Sequence, residues 1–201
     1  MKKFLSVILS FVLVLGIVFS MPSLETDAAS KKVKKKAAKA YRTWLYESDV
    51  TGFRLFDINK DGIKEMLTTY DGYGNNVYSI GVYTYKGGRV VNCNNYEYDY
   101  SMFGFSYNSK TKKMYGSRGG GGGVEKWQYN LTKSGKVKRV YLQQVEYGYN
   151  PSTGNAYFGY FYNGKEITKA QYNKKNSSWS KNLKPLKFYK ISVKNIKKYV
   201  K

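Results

Sequence analysis

The chain has 201 residues, 35 Lys plus Arg against 13 Asp plus Glu, a formal charge of +22, 42% hydrophobic residues and no His. That hydrophobic fraction can fill a core, which excludes a disordered tail, and the length excludes a large multidomain enzyme. Without His there is no imidazole base and none of the common zinc sites, and a lone Cys93 leaves no internal disulfide and no Cys-based metal cluster.

Residues 1–28 have the order of an export signal. Lys2 and Lys3 open it, an apolar run covers 4–19 broken only by Ser6, Ser10 and Gly16, and Thr26 and Ala28 are the small residues that a signal peptidase inspects. Cleavage is expected after Ala28, with Ala29 as the fallback. The run is shorter than the roughly 20 apolar residues of a bilayer span, no Cys follows it to take a lipid, and no membrane span is expected after signal removal. Lys2 and Lys3 balance Glu25 and Asp27, so the whole +22 falls on residues 29–201. The expectation is a single secreted α+β domain, extracellular or loosely cell-wall associated.

From residue 31 to 47 the apolar positions Val33, Ala37, Tyr41, Trp44 and Leu45 recur at helical spacing, with lysines on the other faces, which predicts an N-terminal amphipathic helix. The period then changes to two. Stretches 53–58, 63–70, 77–85, 89–94, 102–107, 124–131, 137–147 and 156–162 are rich in aromatic and β-branched residues and are separated by Gly, Asn and Pro turns. Runs joined this closely pair antiparallel, since parallel neighbours need long crossovers. Asn163-Gly164 is the strongest hairpin signal. A short helix is predicted over 167–176, a last strand over 185–191, and a terminal helical turn capped by Ser192 and running to Tyr199. The fold class expected is α+β: the N-terminal helix, an antiparallel β-meander of about eight strands, and short C-terminal helices. No internal repeat is evident.

One motif carries chemistry. Asp57, Asn59, Asp61, Gly62 and Glu65 follow the spacing D-x-N-x-D-G-x-x-E. Side-chain oxygens at positions 1, 3 and 5 can converge on a hard cation, Gly62 permits a sharp turn, and the Ile63 carbonyl falls at position 7. An EF-hand would place a bidentate Glu at position 12, but Thr68 stands there and the flanks alternate like strands. The expectation is a calcium ion in a loop between two strands, held by Asp57, Asn59, Asp61, Ile63 and Glu65; the plainer alternative is an acidic turn. Charge placement favours the metal: residues 43–108 hold five basic against eight acidic side chains, a net −3 inside a strongly basic chain.

The strand-DINKDGIKE-strand unit, the Lys-rich helix before it, the Tyr-rich hairpins and the segment YFYNGKEITKAQYNKK together resemble uncharacterised secreted proteins of Gram-positive, clostridia-type bacteria. Lys64 stands where those proteins often have Pro. The resemblance implies an extracellular domain and assigns no activity.

The remaining features are weighed by their chemistry. SRGGGGG over 117–123 lacks the Gly-Lys-Ser/Thr ending of a phosphate loop and reads as a hairpin with closely approaching backbone. Basic runs at 31–42, 110–113, 133–139 and 165–201 fit either a solvated lysine surface that keeps the chain soluble or an anionic cell-wall polymer as partner, since an exported protein of a Gram-positive cell meets teichoic acid before nucleic acid, which is not expected as a ligand. The alternating stripes Tyr96, Tyr98, Tyr100, Phe103, Phe105, Tyr107 and Tyr147, Tyr149, Tyr157, Tyr160, Tyr162 read as sheet core, with sugar or peptide stacking as the other option. Asp71, Glu97, Asp99, Glu125 and Glu146 are the free acids for a glycan hydrolase, the alternative function, beside a protein-interaction or inhibitor module. Cys93 has no base to activate it and reads as a buried strand residue. The leading expectation is a secreted, non-enzymatic, calcium-stabilised binding or envelope-associated domain, with no catalytic residues and no cofactor other than the ion.

Overall fold

The computed structural model describes residues 29–75, 77–94, 99–132 and 134–201; the export signal expected at 1–28 lies outside them, as do Tyr96, Glu97 and Tyr98 of the first aromatic stripe and Lys133. The first helix, α1, runs over Lys31–Glu47, and the Ser30 hydroxyl caps it by accepting from the Val33 amide at 3.3 Å. Ala37, Ala38, Tyr41 and Leu45 are its buried residues, a stripe at three- and four-residue spacing, while Lys31, Lys32, Lys35, Lys36 and Lys39 stay exposed.

Two antiparallel sheets follow. Sheet 1 contains β1 (Gly52–Phe56), β2 (Glu65–Thr69), β3 (Ser79–Lys86) and β4 (Arg89–Asn92) side by side, with β5 (Asp99–Tyr100) also on β3. Sheet 2 contains β6 (Phe105–Asn108), β7 (Met114–Gly120), β8 (Gly123–Leu131), β9 (Val137–Tyr149), β10 (Ala156–Tyr162) and β11 (Lys165–Glu166), each paired to the next. After the second helix, α2 (Lys169–Ser180), β12 (Leu183–Pro185) joins sheet 2 against β6, and β13 (Tyr189–Lys190) joins sheet 1 against β1. The last helix, α3, covers Val193–Tyr199, with Ser192 as its cap.

The molecule is therefore α+β with antiparallel strands dominant, but among the described residues the single meander of about eight strands is replaced by two sheets of six and seven. The reason is physical. Alternation records that a strand has a buried face, and the same pattern arises whichever sheet covers that face. The stretch 185–191, expected to be one strand, is instead a crossover: Pro185 ends β12, Leu186 and Phe188 are buried, and Tyr189 begins β13.

The core lies in two layers. Phe56, Leu67, Ile80 and Val82 of sheet 1 meet Phe105, Met114, Trp127 and Tyr129 of sheet 2. On the other face of sheet 1, Phe53, Met66 and Tyr83 pack against Tyr41 and Leu45 of α1 and Ile196 of α3. Helix α2 covers the outer face of sheet 2, where Tyr172 meets Tyr160 at 5.0 Å between ring centres and Trp179 meets Tyr115 at 5.5 Å. The order of layers is helices, sheet, sheet, helix. Thr168 and Gln171 form a capping box at the start of α2, the cue that fixes its first turn. Among the described residues no helix is long and apolar enough to cross a membrane.

Candidate functional site

The Asp57 loop joins the ends of two paired strands. Phe56 of β1 lies opposite Glu65 of β2, so residues 57–64 are the excursion between them. Two residues in it adopt left-handed backbone, Lys60 at φ 64° and Gly62 at φ 83°, which turns the chain back on itself within a few residues. The loop is tied inward by its own acids. Asp57 Oδ1 accepts from the Lys60 amide at 2.7 Å and Oδ2 from the Gly62 amide at 3.2 Å. Asn59 Oδ1 accepts from the Asp61 amide at 3.1 Å, and Asp61 Oδ1 from the Ile63 amide at 2.7 Å. The Asn59 side-chain amide donates to Asp61 Oδ2 at 2.8 Å.

Glu65 closes the arrangement from β2. It is fully buried, and its two oxygens accept from the Ile58 amide at 2.8 Å and the Thr84 hydroxyl at 3.2 Å. Burial pushes its carboxyl up to about 8, the charges of Asp61 and Asp57 add to the rise, and the Ile58 amide opposes it. Burial likewise raises Asp57, against the pull of the Lys60 and Gly62 amides and the Lys34 ammonium. Three carboxylates thus stand in mutual electrostatic reach, and no lysine or arginine forms an ion pair with any of them among the described residues.

Asp57, Asn59, Asp61, Ile63 and Glu65 are all on this one loop and its edge. In the conformation seen, the carboxylate oxygens are occupied by loop amides and the Thr84 hydroxyl, and among the described residues no three Asp, Glu, Cys or His side chains come together as a ready-made metal cage. The donor chemistry nonetheless suits a hard divalent cation: every side-chain donor is oxygen, and a buried carboxylate without a cationic partner is costly unless it is neutralised.

The lysine surface is uncompensated. Among the described residues only two ion pairs form, Arg118 Nε to Glu125 Oε1 at 2.9 Å and Arg139 to Asp99 Oδ1 at 2.9 Å, and no lysine takes part. The second pair is internal: Asp99 and Arg139 bridge the two sheets, and the Arg139 guanidinium lies 5.9 Å from the Trp127 ring and 5.8 Å from that of Tyr141. Each of the acids considered for hydrolysis that the structure describes has its own partner. Asp71 accepts from the Ser79 amide, Asp99 is held by Arg139, Glu125 by Arg118 and Gln143, and Glu146 by the Tyr149 hydroxyl. Cys93 is buried beside Val82, and burial pushes its thiol up to about 12, far from a thiolate nucleophile.

The aromatic stripes divide. Phe105 is buried, but Tyr100, Phe103, Tyr147, Tyr149 and Tyr157 are exposed, so the sheet-core reading is corrected for these five. The second stripe mixes the two faces of sheet 2, since Tyr147 packs on Gly159 while the adjacent Tyr160 turns to Tyr172 of α2, and β9, at 13 residues, runs past the sheet that would cover it. The 117–123 segment is a tight hairpin, with Gly120 opposite Gly123 and two glycines between. Comparison with family models, curated proteins and solved structures gave no match.

Proposed function

We propose that the protein is an exported, non-catalytic binding domain, steadied by one calcium ion in the 57–65 loop, that attaches to anionic polymer of the cell wall through its lysine surface. Asp57, Asn59, Asp61 and Glu65 would supply side-chain oxygens and Ile63 its carbonyl, joining the ends of β1 and β2 through the metal. The observation that supports this reading most is the buried Glu65, with two further carboxylates in reach and none in an ion pair. A divalent cation supplies the missing charge where an ordinary turn would leave it uncompensated.

The polymer partner is supported by the lysines. Twelve of them occupy 165–201 against Glu166 alone, and no lysine among the described residues is in an ion pair. An extended field of mobile ammonium groups binds phosphate-bearing chains by releasing counterions, and that attraction falls steeply with salt. The test is retention of the purified chain on isolated cell walls before and after extraction of teichoic acid. Binding that disappears on extraction, and elutes as salt is raised, is expected; equal retention on both preparations would refute the polyanion partner.

A further inference from the structure

The inner face of sheet 2 changes character along its length. Met114, Trp127 and Tyr129 are packed under sheet 1, whereas Arg118, Glu125, Gln143 and Val145 lie further along the same face by alternation and cross-strand register, and line an open groove of about 320 Å³. The Val124 and Gln144 pair of the alternate face, Met102, and Gly119, Gly120, Gly122 and Gly123 complete its wall.

The lining is organised for recognition. Glu125 lies in the middle, accepting from Gln143 Nε2 at 2.6 Å and Arg118 Nε at 2.9 Å, which leaves the other guanidinium N–H groups and the Gln143 carbonyl oxygen available. Beyond it Tyr147, 53% exposed, lies against Gly159, where a Cβ would come within 2.5 Å of the ring, and its ring meets Phe161 edge-on at 6.4 Å. The glycine gives the ring a flat seat, and the edge contact holds it there.

Charge selects the ligand. Arg118 and Glu125 cancel, and among the described residues no lysine lines the groove, although lysines cover much of the remaining surface of this +22 chain. An electrically balanced recess on such a protein does not suit a phosphate polymer. It suits a molecule with many hydroxyls, each both donor and acceptor, and an apolar C–H face to lie on an aromatic ring. We propose that this groove binds an uncharged saccharide chain. The site uses neither the calcium loop nor the lysine surface, so it stands or falls apart from the function proposed above. Its volume lies at the lower end of the roughly 300–1,000 Å³ of small-molecule sites.

The experiment is calorimetric titration of the whole exported chain with cellohexaose and with chitohexaose, in low and high NaCl. Binding of at least one with Kd of about 1 mM or tighter, unchanged by salt, is expected. Tyr147→Ala and Gln143→Ala should each weaken it about tenfold with the melting temperature unchanged; Tyr147 is half exposed, and two variants on different strands keep the test sound if one is unstable. No binding of either hexasaccharide, binding lost in high salt, or equal binding by both folded variants would overturn the proposal.

Discussion

Gly116 is the position where one added methyl group tests the packing between the sheets. It lies on β7 opposite Trp127 of β8, and a Cβ there would stand 2.5 Å from Trp127 Cζ2 and 2.6 Å from Cε2. Trp127 is 1% exposed, with the Arg139 guanidinium 5.9 Å from its ring, so the indole has no open space to move into and must shift against its neighbours. Overpacking of this kind costs roughly 1–3 kcal/mol. The gain from stiffening the unfolded chain on Gly→Ala offsets roughly 0.4–1 kcal/mol, leaving a net loss of about 1–2 kcal/mol. For a chain of this size that lowers the melting temperature by roughly 2–8 °C. Gly121→Ala is the matched control, since a Cβ there meets nothing within 4 Å. Thermal unfolding followed by circular dichroism compares the two, and the near-ultraviolet signal reports the displaced indole. Equal melting temperatures for the two variants would refute the claim that Gly116 exists to seat Trp127.

In chelator, Glu65 should make the fold less stable as pH rises: its folded carboxyl is near 8 against an ordinary 4.5, so stability is greatest at or below the unfolded value and declines across that window by on the order of a few kcal/mol, read from urea midpoints at successive pH values. Asp57 and Asp99 are raised too and act in the same direction. Asp99→Ala leaves the mostly covered Arg139 unpaired and should cost about 2–4 kcal/mol by denaturant melts, whereas Arg118→Ala, in a pair whose arginine side chain is 62% exposed, should cost about 1 kcal/mol or less. Thr168→Ala removes half of the capping box on α2 and should lower stability by about 1 kcal/mol in the same melts.

The sequence was most informative where local chemistry decides the outcome. Asn163-Gly164 forms a two-residue hairpin between Tyr162 and Lys165, with both turn residues at positive φ, a conformation that the tight turn requires and that Asn and Gly tolerate. Ser192 caps the last helix, and the 57–65 loop joins two strands, because spacing and turn residues act over a few positions. Long-range choices were not legible. Nothing local distinguishes a strand of sheet 1 from one of sheet 2, so the jump of the chain from β5 to β6 and the division of 185–191 between the sheets were hidden. The saccharide groove was hidden for a related reason: Tyr147 and Trp127 occupy inward positions alike, and only the extent of sheet 1 decides which of them meets water.

The most direct measurement is the melting temperature of residues 29–201 in calcium and in EDTA, with Asp57→Ala alongside. At calcium a hundredfold above its dissociation constant, the bound ion should add about 2.7 kcal/mol and raise the midpoint by roughly 5–10 °C in the parent chain, with little or no shift in the variant. Coincident transitions of the parent chain in calcium and in chelator would contradict the claim that a metal ion holds the ends of β1 and β2 together.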